Sequence, residues 1–307
     1  MSDMKSVEER LGRETLAKRL AVEARRRRRR RQGLLDISRL ICWGFPLVCK
    51  IGWVYTRGRR NFHAIQVREN PITVRRLPKA FHGFRILHLS DLHLDLDVTF
   101  TDTLLKSLEG LRYDLVVMTG DYRNFFDGDG DVAHAQMRRL LAALTAPVYG
   151  VLGNHDRSEE VGIYEAMGLR ILLNEHVLIR RGDSALILAG VDDPNICETD
   201  DLPKALEGTD ADASPAVLLS HSPSIHAKAA AMGVDVVFAG HTHGGQVRMP
   251  GGLLLRTSER SKPRFWIGRW QEGETQGYTS TGSGGCGVPV RFYSLPEVVI
   301  HTLEPRN

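Results

Sequence analysis

From Phe84 to Ala239 the chain alternates short apolar runs with segments of helical period. Phe84 to Ser90, Asp114 to Thr119, Val148 to Leu152, Ala216 to Leu219 and Val234 to Ala239 are rich in branched and aliphatic residues, which predicts strands covered on both faces. Between them, Thr101 to Leu111, Val132 to Leu144, Ser158 to Met167 and Ser224 to Met232 predict helices, the first capped by Thr or Asp. Arg170 to Leu173, Val177 to Arg180 and Ala185 to Val191 read as further strands, the last two as a hairpin about Arg181-Gly182-Asp183. Such alternation is the mark of an α/β fold, and taken alone it is compatible with a Rossmann-like sheet.

Flanking segments are less regular. Ala64 to Arg68 and Ile72 to Arg76 alternate as two short strands joined by Asn70-Pro71, a turn-forming pair. Strands are expected again near Leu253, Gly277 to Ser280 and Val298 to Leu303. Asp192 to Asp212 carries eight Asp/Glu and one lysine and reads as a surface excursion more than as a mobile lid.

The first 60 residues follow a different pattern. Residues 1 to 24 have a helix-forming composition, but their apolar face is too narrow to pack by itself. Arg25 to Arg31 then forms an unbroken arginine run, followed by apolar residues from Leu34 to Tyr55. The run from Leu40 to Tyr55 falls short of the roughly 20 residues that span a bilayer, and Gly44, Pro46, Lys50 and Gly52 interrupt it. On a helical wheel Asp36, Arg39, Lys50 and Arg57 share one stripe with Trp43 and Trp53 in or beside it. Residues 25 to 57 are therefore expected to lie on an anionic membrane surface or to form a short anchor in it, at the cytoplasmic face. A helix docked on its own domain and an export signal are the alternatives. The expected division is a basic, membrane-associating segment over residues 1–60 and a catalytic domain over 61–307.

Charge sharpens this division. The chain has 41 Lys/Arg and 37 Asp/Glu, but residues 1 to 31 hold 12 of the former and only 5 of the latter, so the remainder is net acidic. Nucleic-acid binding through the arginines is not favoured, because no aromatic residues are interleaved to stack on bases. Cys42, Cys49, Cys197 and Cys286 have no zinc-finger spacing, and reduced thiols are the expectation.

Candidate chemistry sits at the strand ends: Asp91 and His93, Asp121, Asn154, His221, and His241 with His243. Function in α/β sheets gathers beyond the carboxyl ends of the strands. Carboxylates, imidazoles and one amide oxygen suit Mn²⁺, with Fe²⁺ or Zn²⁺ as alternatives. They are numerous enough for two divalent ions sharing one carboxylate, the arrangement that clamps an in-line displacement at phosphorus.

In chain order, Asp-x-His, Gly-Asp, Gly-Asn-His-Asp, a lone His after an apolar strand, and Gly-His-x-His resemble the complete signature of the calcineurin-like metallophosphoesterases. That resemblance implies a four-layer β-sandwich flanked by helices. It implies one metal at Asp91, His93, Asp121 and His243, and a second at Asp121, Asn154, His221 and His241, with Asp121 bridging. His155 would face the phosphate and assist the leaving oxygen, with Asp156 orienting it. Tyr122-Arg123-Asn124 follows Gly120-Asp121, which departs from the protein Ser/Thr phosphatases and the purple acid phosphatases. Gly-His-Thr-His-Gly-Gly-Gln is most similar to a bacterial membrane-associated branch, some of whose members hydrolyse UDP-2,3-diacylglucosamine in lipid A synthesis. A phosphodiester or pyrophosphate substrate, lipid-linked or a soluble nucleotide, is the implied partner. A scaffold without catalysis is disfavoured because no ligand position is lost. The oligomeric state is not legible.

Overall fold

Twelve strands of the computed structural model, which describes residues 2–31, 54–126, 128, 130–210, 214–248, 251 and 258–306, form two packed sheets. The strands are β1 (Gln66–Val74), β2 (Arg85–Leu89), β3 (Leu115–Met118), β4 (Val148–Gly150), β5 (Leu169–Ile171), β6 (Glu175–Arg181), β7 (Ser184–Gly190), β8 (Ala216–Leu219), β9 (Val236–Ala239), β10 (Gly268–Glu272), β11 (Thr275–Thr279) and β12 (Glu297–Pro305). The first sheet runs β1-β12-β2-β3-β4-β5 and the second β10-β11-β9-β8-β7-β6. Each contains a parallel set: β2 to β5, which runs out to the β5 edge of the first sheet, and β7, β8, β9 with β11 in the middle of the second.

Alternation along β2 shows how the layers are built. Ile86 joins a core with Leu188, Val217, Leu219, Val236 and Phe238 of the second sheet, while Leu87 and Leu89 join one beneath helices. Successive side chains of a strand point to opposite faces. A third cluster, with Ile225, Ala229, Phe265 and Trp270, covers the outside of the second sheet. Helix, sheet, sheet and helix form the four expected layers. This is why β3 and β8 are buried along their whole length.

The helices are α1 (Ser2–Leu11), α2 (Arg13–Arg31), α3 (Tyr55–Phe62), α4 (Phe100–Leu108), α5 (Asp131–Ala143), α6 (Val161–Ala166), α7 (Leu202–Ala205) and α8 (His226–Ala231). The expected inability of residues 1 to 24 to pack is overturned. Val7, Leu11 and Leu16 are buried in the outer core of the first sheet, at roughly 1.5–3 kcal/mol for each fully buried aliphatic side chain. The rest of the docking face is polar: Arg19 and Glu23 are buried as an ion pair one helical turn apart. Arg27 reaches Glu159 at 2.7 Å and, with Arg26, lies over the Phe126 ring, whereas Arg25 and Arg28 face solvent. Only part of the arginine run is thus turned away from the domain. Among the described residues no helix is long and apolar enough to cross a membrane. Residues 32–53, with most of the expected membrane-associating stretch, Cys42 and Cys49, lie outside the described residues, as do 252–257 with the expected strand near Leu253.

Two further expectations change. Asn70-Pro71 makes no turn: Gln66–Val74 is one continuous strand paired with β12. It is an edge strand, where proline's missing N–H can face outward, and burial resumes at Asn70, Ile72 and Val74. The acidic loop is pinned in place, because Asp192, Asp193 and Asn195 are fully buried and Asp193 accepts from the amides of Asn195, Ile196 and Cys197. Helix α3 and strand β10 were not expected; neither shows the periodicity that marks the central elements.

Candidate metal centre

β2, β3 and β4 of one sheet and β8 and β9 of the other end at the same place. Asp91, His93, Asp121, His241 and His243 all adopt positive φ, between 43° and 69°. Left-handed backbone costs a residue with a Cβ on the order of 1–2 kcal/mol, and such outliers cluster where a site dictates the conformation. Glycines clear the space around them. A Cβ on Gly240 would stand 1.8 Å from Ser90 Oγ, and one on Gly153 would stand 2.2 Å from Asp121 Oδ1.

The side chains converge in two overlapping groups. Donor atoms of Asp91, His93, Asp121 and His243 all lie within 4.8 Å of one another. Asp121 Oδ1 is 3.5 Å from His221 Nε2, which is 3.1 Å from Asn154 Oδ1 and 3.1 Å from His241 Nδ1. Every residue expected from the sequence as a ligand is therefore brought together, with Asp121 between the groups. The tautomers fit cation binding. His93 Nδ1 donates to the Arg123 carbonyl at 2.9 Å and His221 Nδ1 to the Thr119 carbonyl at 2.7 Å, which turns both Nε2 lone pairs inward. His93 Nε2 and His243 Nε2 stand 3.2 Å apart on stacked rings. Converging lone pairs and carboxylates favour a divalent ion, and a divalent metal site is what this donor set forms.

Electrostatics without a cation points the same way. Burial opposes the ionised form of Asp121, but His221 and His155 outweigh it and hold the carboxyl well below its usual range. His221 is lowered by burial yet carried up to about 10 by Asp121. Burial, reinforced by the charge of Asp121, raises Asp91, with His221 and His93 opposing. A proton on His221 thus occupies the place of positive charge among buried carboxylates.

His155 is not in either group. Its Nδ1 donates to the Asn124 carbonyl at 2.8 Å and its amide to Asp121 Oδ1 at 2.8 Å, while Nε2 lies 3.8 Å from Cys286 Sγ. Burial takes its ring down to about 3, against the pull of Asp121 and with the charges of Arg26 and His93 adding to it. The expectation that Asp156 orients this ring is corrected. Asp156 instead accepts the backbone N–H groups of Asp121, Tyr122 and Gly153 at 2.7–2.8 Å, tying together the two turns that carry Asp121 and Asn154. Burial and the charge of Asp121 push its carboxyl up to about 7, against these amide donors. Near the far end of the turn after β4, the Asp156 carboxylate folds back over the turn and is taken up by these three backbone amides.

Several contributors escaped the sequence reading. Ser90 Oγ donates to Asp91 Oδ2 at 2.6 Å and accepts from Thr119 Oγ1 at 2.7 Å, which accepts from His88 Nε2 at 2.9 Å. His88 Nδ1 accepts from His301 Nε2 at 3.2 Å, and His301 Nδ1 from Asn70 Nδ2 at 2.7 Å. With each hydrogen used once, the chain runs in one direction from the edge strand to Asp91. On the far side, the buried Arg291 donates to the carbonyls of Thr281, Gly284, His243 and Ser294 and braces the His243 turn. Asn124 also accepts from the Gly287 amide at 2.8 Å. The only cue in the sequence was a polar residue at a strand position that should be apolar, such as His88 or His301.

Two sheets that deliver acids and imidazoles to a common edge, around a divalent metal site, define a metal-dependent hydrolase of phosphoester bonds. The chain belongs to the calcineurin-like phosphoesterases, whose family profile matches residues 84–245. It is 31% identical over 260 residues to YkuE, an uncharacterized metallophosphoesterase of Bacillus subtilis, covering 80% of this chain and 87% of that one. It is 32% identical over 252 residues to a transmembrane protein with metallophosphoesterase domain of Bos taurus, covering 74% of this chain and 54% of the other. Among solved structures, the Thermus thermophilus sulfate thiohydrolase SoxB in complex with glycerol aligns with a TM-score of 0.43 at 15% identity, over 74% of this chain and 57% of that one.

Proposed function

We propose that the protein hydrolyses a phosphodiester or pyrophosphate bond with two divalent ions, Mn²⁺ by preference and Fe²⁺ or Zn²⁺ as substitutes. The observation that supports this most directly is Asp121, whose two oxygens face different groups: Oδ2 is 3.6 Å from His93 Nε2 and Oδ1 is 3.5 Å from His221 Nε2. Asp91, His93, Asp121 and His243 would hold one ion, and Asp121, Asn154, His221 and His241 the other. When bound, such a pair supplies Lewis acidity to the phosphoryl oxygens and a nucleophile from water at neutral pH. His155 Nε2, fixed by the Nδ1 bond to Asn124, is the group positioned to stabilise charge on the phosphoryl group and to protonate the leaving oxygen. An anionic phosphate beside the ring would raise its proton affinity against the lowering effect of burial. Asp156 holds the two turns together and does not touch the reacting atoms.

The finer reading is a membrane-surface enzyme at the cytoplasmic face, with a lipid-linked diphosphate such as UDP-2,3-diacylglucosamine as substrate. Its support is the exposed part of the arginine run and the apolar sequence that follows. A soluble-nucleotide phosphodiesterase is the competing reading. The test strips the full-length protein with chelator, restores Mn²⁺, and measures hydrolysis of bis(p-nitrophenyl) phosphate, a nucleoside diphosphate ester and a diacylated nucleotide sugar. Restoration of activity on all or one of these is expected. No turnover of any phosphoester with two ions bound overturns the catalytic reading. Turnover of the soluble esters alone, without sedimentation on anionic vesicles, overturns the lipid reading.

A further inference from the structure

The docking face of α2 carries charge where a packing helix ordinarily carries apolar residues. Arg19, Glu23, Arg26 and Arg27 recur at helical spacing, and all four meet the segment from Gly153 to Glu159. Arg19 is completely buried. Its Nη2 donates to the carbonyls of Gly153 at 3.2 Å and Asp156 at 3.0 Å. Its Nη1 pairs with the buried Asp192, and its Nε donates to Glu23 and Ser158. Glu23 in turn accepts from the amide of Ser158 at 3.0 Å and its hydroxyl at 2.8 Å. Arg26 donates to the carbonyl of Asn154. The two carbonyls on Arg19 bracket Asn154 and His155, and no other described side chain donates to either of them.

We propose that Arg19 is a positioning residue for the metal centre: by clamping the carbonyls on either side of Asn154 and His155, it makes the N-terminal helical arm part of the catalytic unit. The inference rests on the phosphoesterase reading above. A planar guanidinium spans two carbonyls and a carboxylate at fixed angles, which an ammonium of equal charge cannot do. A displacement of about 1 Å at a reacting group costs on the order of 10²-fold in rate, so the loop that sets His155 has to be held from behind. Asp156 ties the turn to the Asp121 side through its carboxylate, and Arg19 ties it to the arm through its carbonyl. Between them the turn is gripped on both faces.

The test compares full-length Arg19→Lys and Arg19→Gln with Arg10→Gln. Arg10 docks the same arm on Glu165, Glu175 and the Ile171 carbonyl and touches nothing in the 153–158 turn. Arg19→Lys keeps a charge for Asp192, so the fold is retained. Its kcat on bis(p-nitrophenyl) phosphate is expected to fall about 10- to 100-fold with KM within about threefold. Amide exchange over 153–158 should rise about tenfold or more. Arg10→Gln should lower the melting temperature and leave kcat and that exchange unchanged. Wild-type kcat and wild-type exchange over 153–158 in Arg19→Lys would overturn the proposal, as would an equal loss of kcat in Arg10→Gln. If Arg19→Gln fails to fold, Arg19→Lys decides. If the wild-type protein hydrolyses no phosphoester, the reading of the site fails. The exchange comparison then still decides whether Arg19 holds the turn.

Discussion

Asp121 sits between the two donor groups, and its neighbours already hold the carboxyl ionised far below the usual range, against burial. Asp121→Asn removes the charge that offsets repulsion between two cations. It is expected to lose metal from both positions and all measurable turnover, as read by metal analysis of the dialysed protein. Retention of two equivalents would remove Asp121 from the bridging role. The proton on His221 gives a second readout. Because Asp121 raises this imidazole to about 10, the ring is charged at neutral pH, and a metal binds only after displacing the proton. Metal affinity should therefore climb with pH up to that range and binding should release protons, measured by calorimetry in buffers of different ionisation enthalpy. No proton release at pH 7 would contradict it. His155→Ala should separate from both, keeping metal while kcat drops on the order of 10²-fold or more. A substrate with a good leaving group should suffer less, and loss of metal would show that the ring serves as a ligand.

At the scale of elements, the polar chain through β1, β12, β2 and β3 is what holds Asp91 from within the sandwich. His88 and His301 stack on or beside Phe238 between the sheets. Burial takes His88 down to about 3 and His301 well below the usual imidazole range. Both are neutral when folded and protonate below about pH 6.5 when unfolded. The unfolded state then binds more protons, so stability is full above about 6.5 and declines as pH falls toward 3. The slope is about 1.4 kcal/mol per pH unit for each imidazole. Urea denaturation at pH 7.5 and 5.0 should show this loss, and His301→Phe, which keeps the stack on Phe238, should reduce it. An unchanged pH dependence in that variant would show that the imidazoles are not its source. Helix α2 teaches the matching lesson. An apolar pattern does not reveal its packing face, because Arg19 and Glu23 pack there by pairing.

For the whole molecule, the arm and the catalytic layers share one core. Deleting residues 2–31 uncovers the surface buried by Val7, Leu11 and Leu16 and leaves Asp192 without its guanidinium. An unpaired buried charge costs about 3–5 kcal/mol. The shortened protein is expected to melt at least 5 °C lower and to bind metal less tightly, measured by calorimetry on both forms. Equal melting temperatures would return the arm to the status of a detached tail. High salt should change the difference little, since the Arg19–Asp192 pair is buried and poorly screened.

The sequence by itself determined the alternation of strand and helix, the strand-end positions of Asp91, His93, Asp121, Asn154, His221, His241 and His243, and through their order the family. These are local properties: apolar period marks a buried strand, and a ligand motif has to follow its strand directly because the strand is what aims it. Tertiary structure alone decided which sheet each strand joined, that Gln66–Val74 passes through Pro71 without turning, and that Asp156 grips backbone instead of the His155 ring. It also decided that Arg19 reaches across 134 and 137 residues to two carbonyls of one turn. The physical reason is partnership. A buried polar side chain is stable only with its hydrogen-bonding partners in place, and for Arg19, His88, His301 and Arg291 those partners come from distant segments that no period or spacing along the chain reveals.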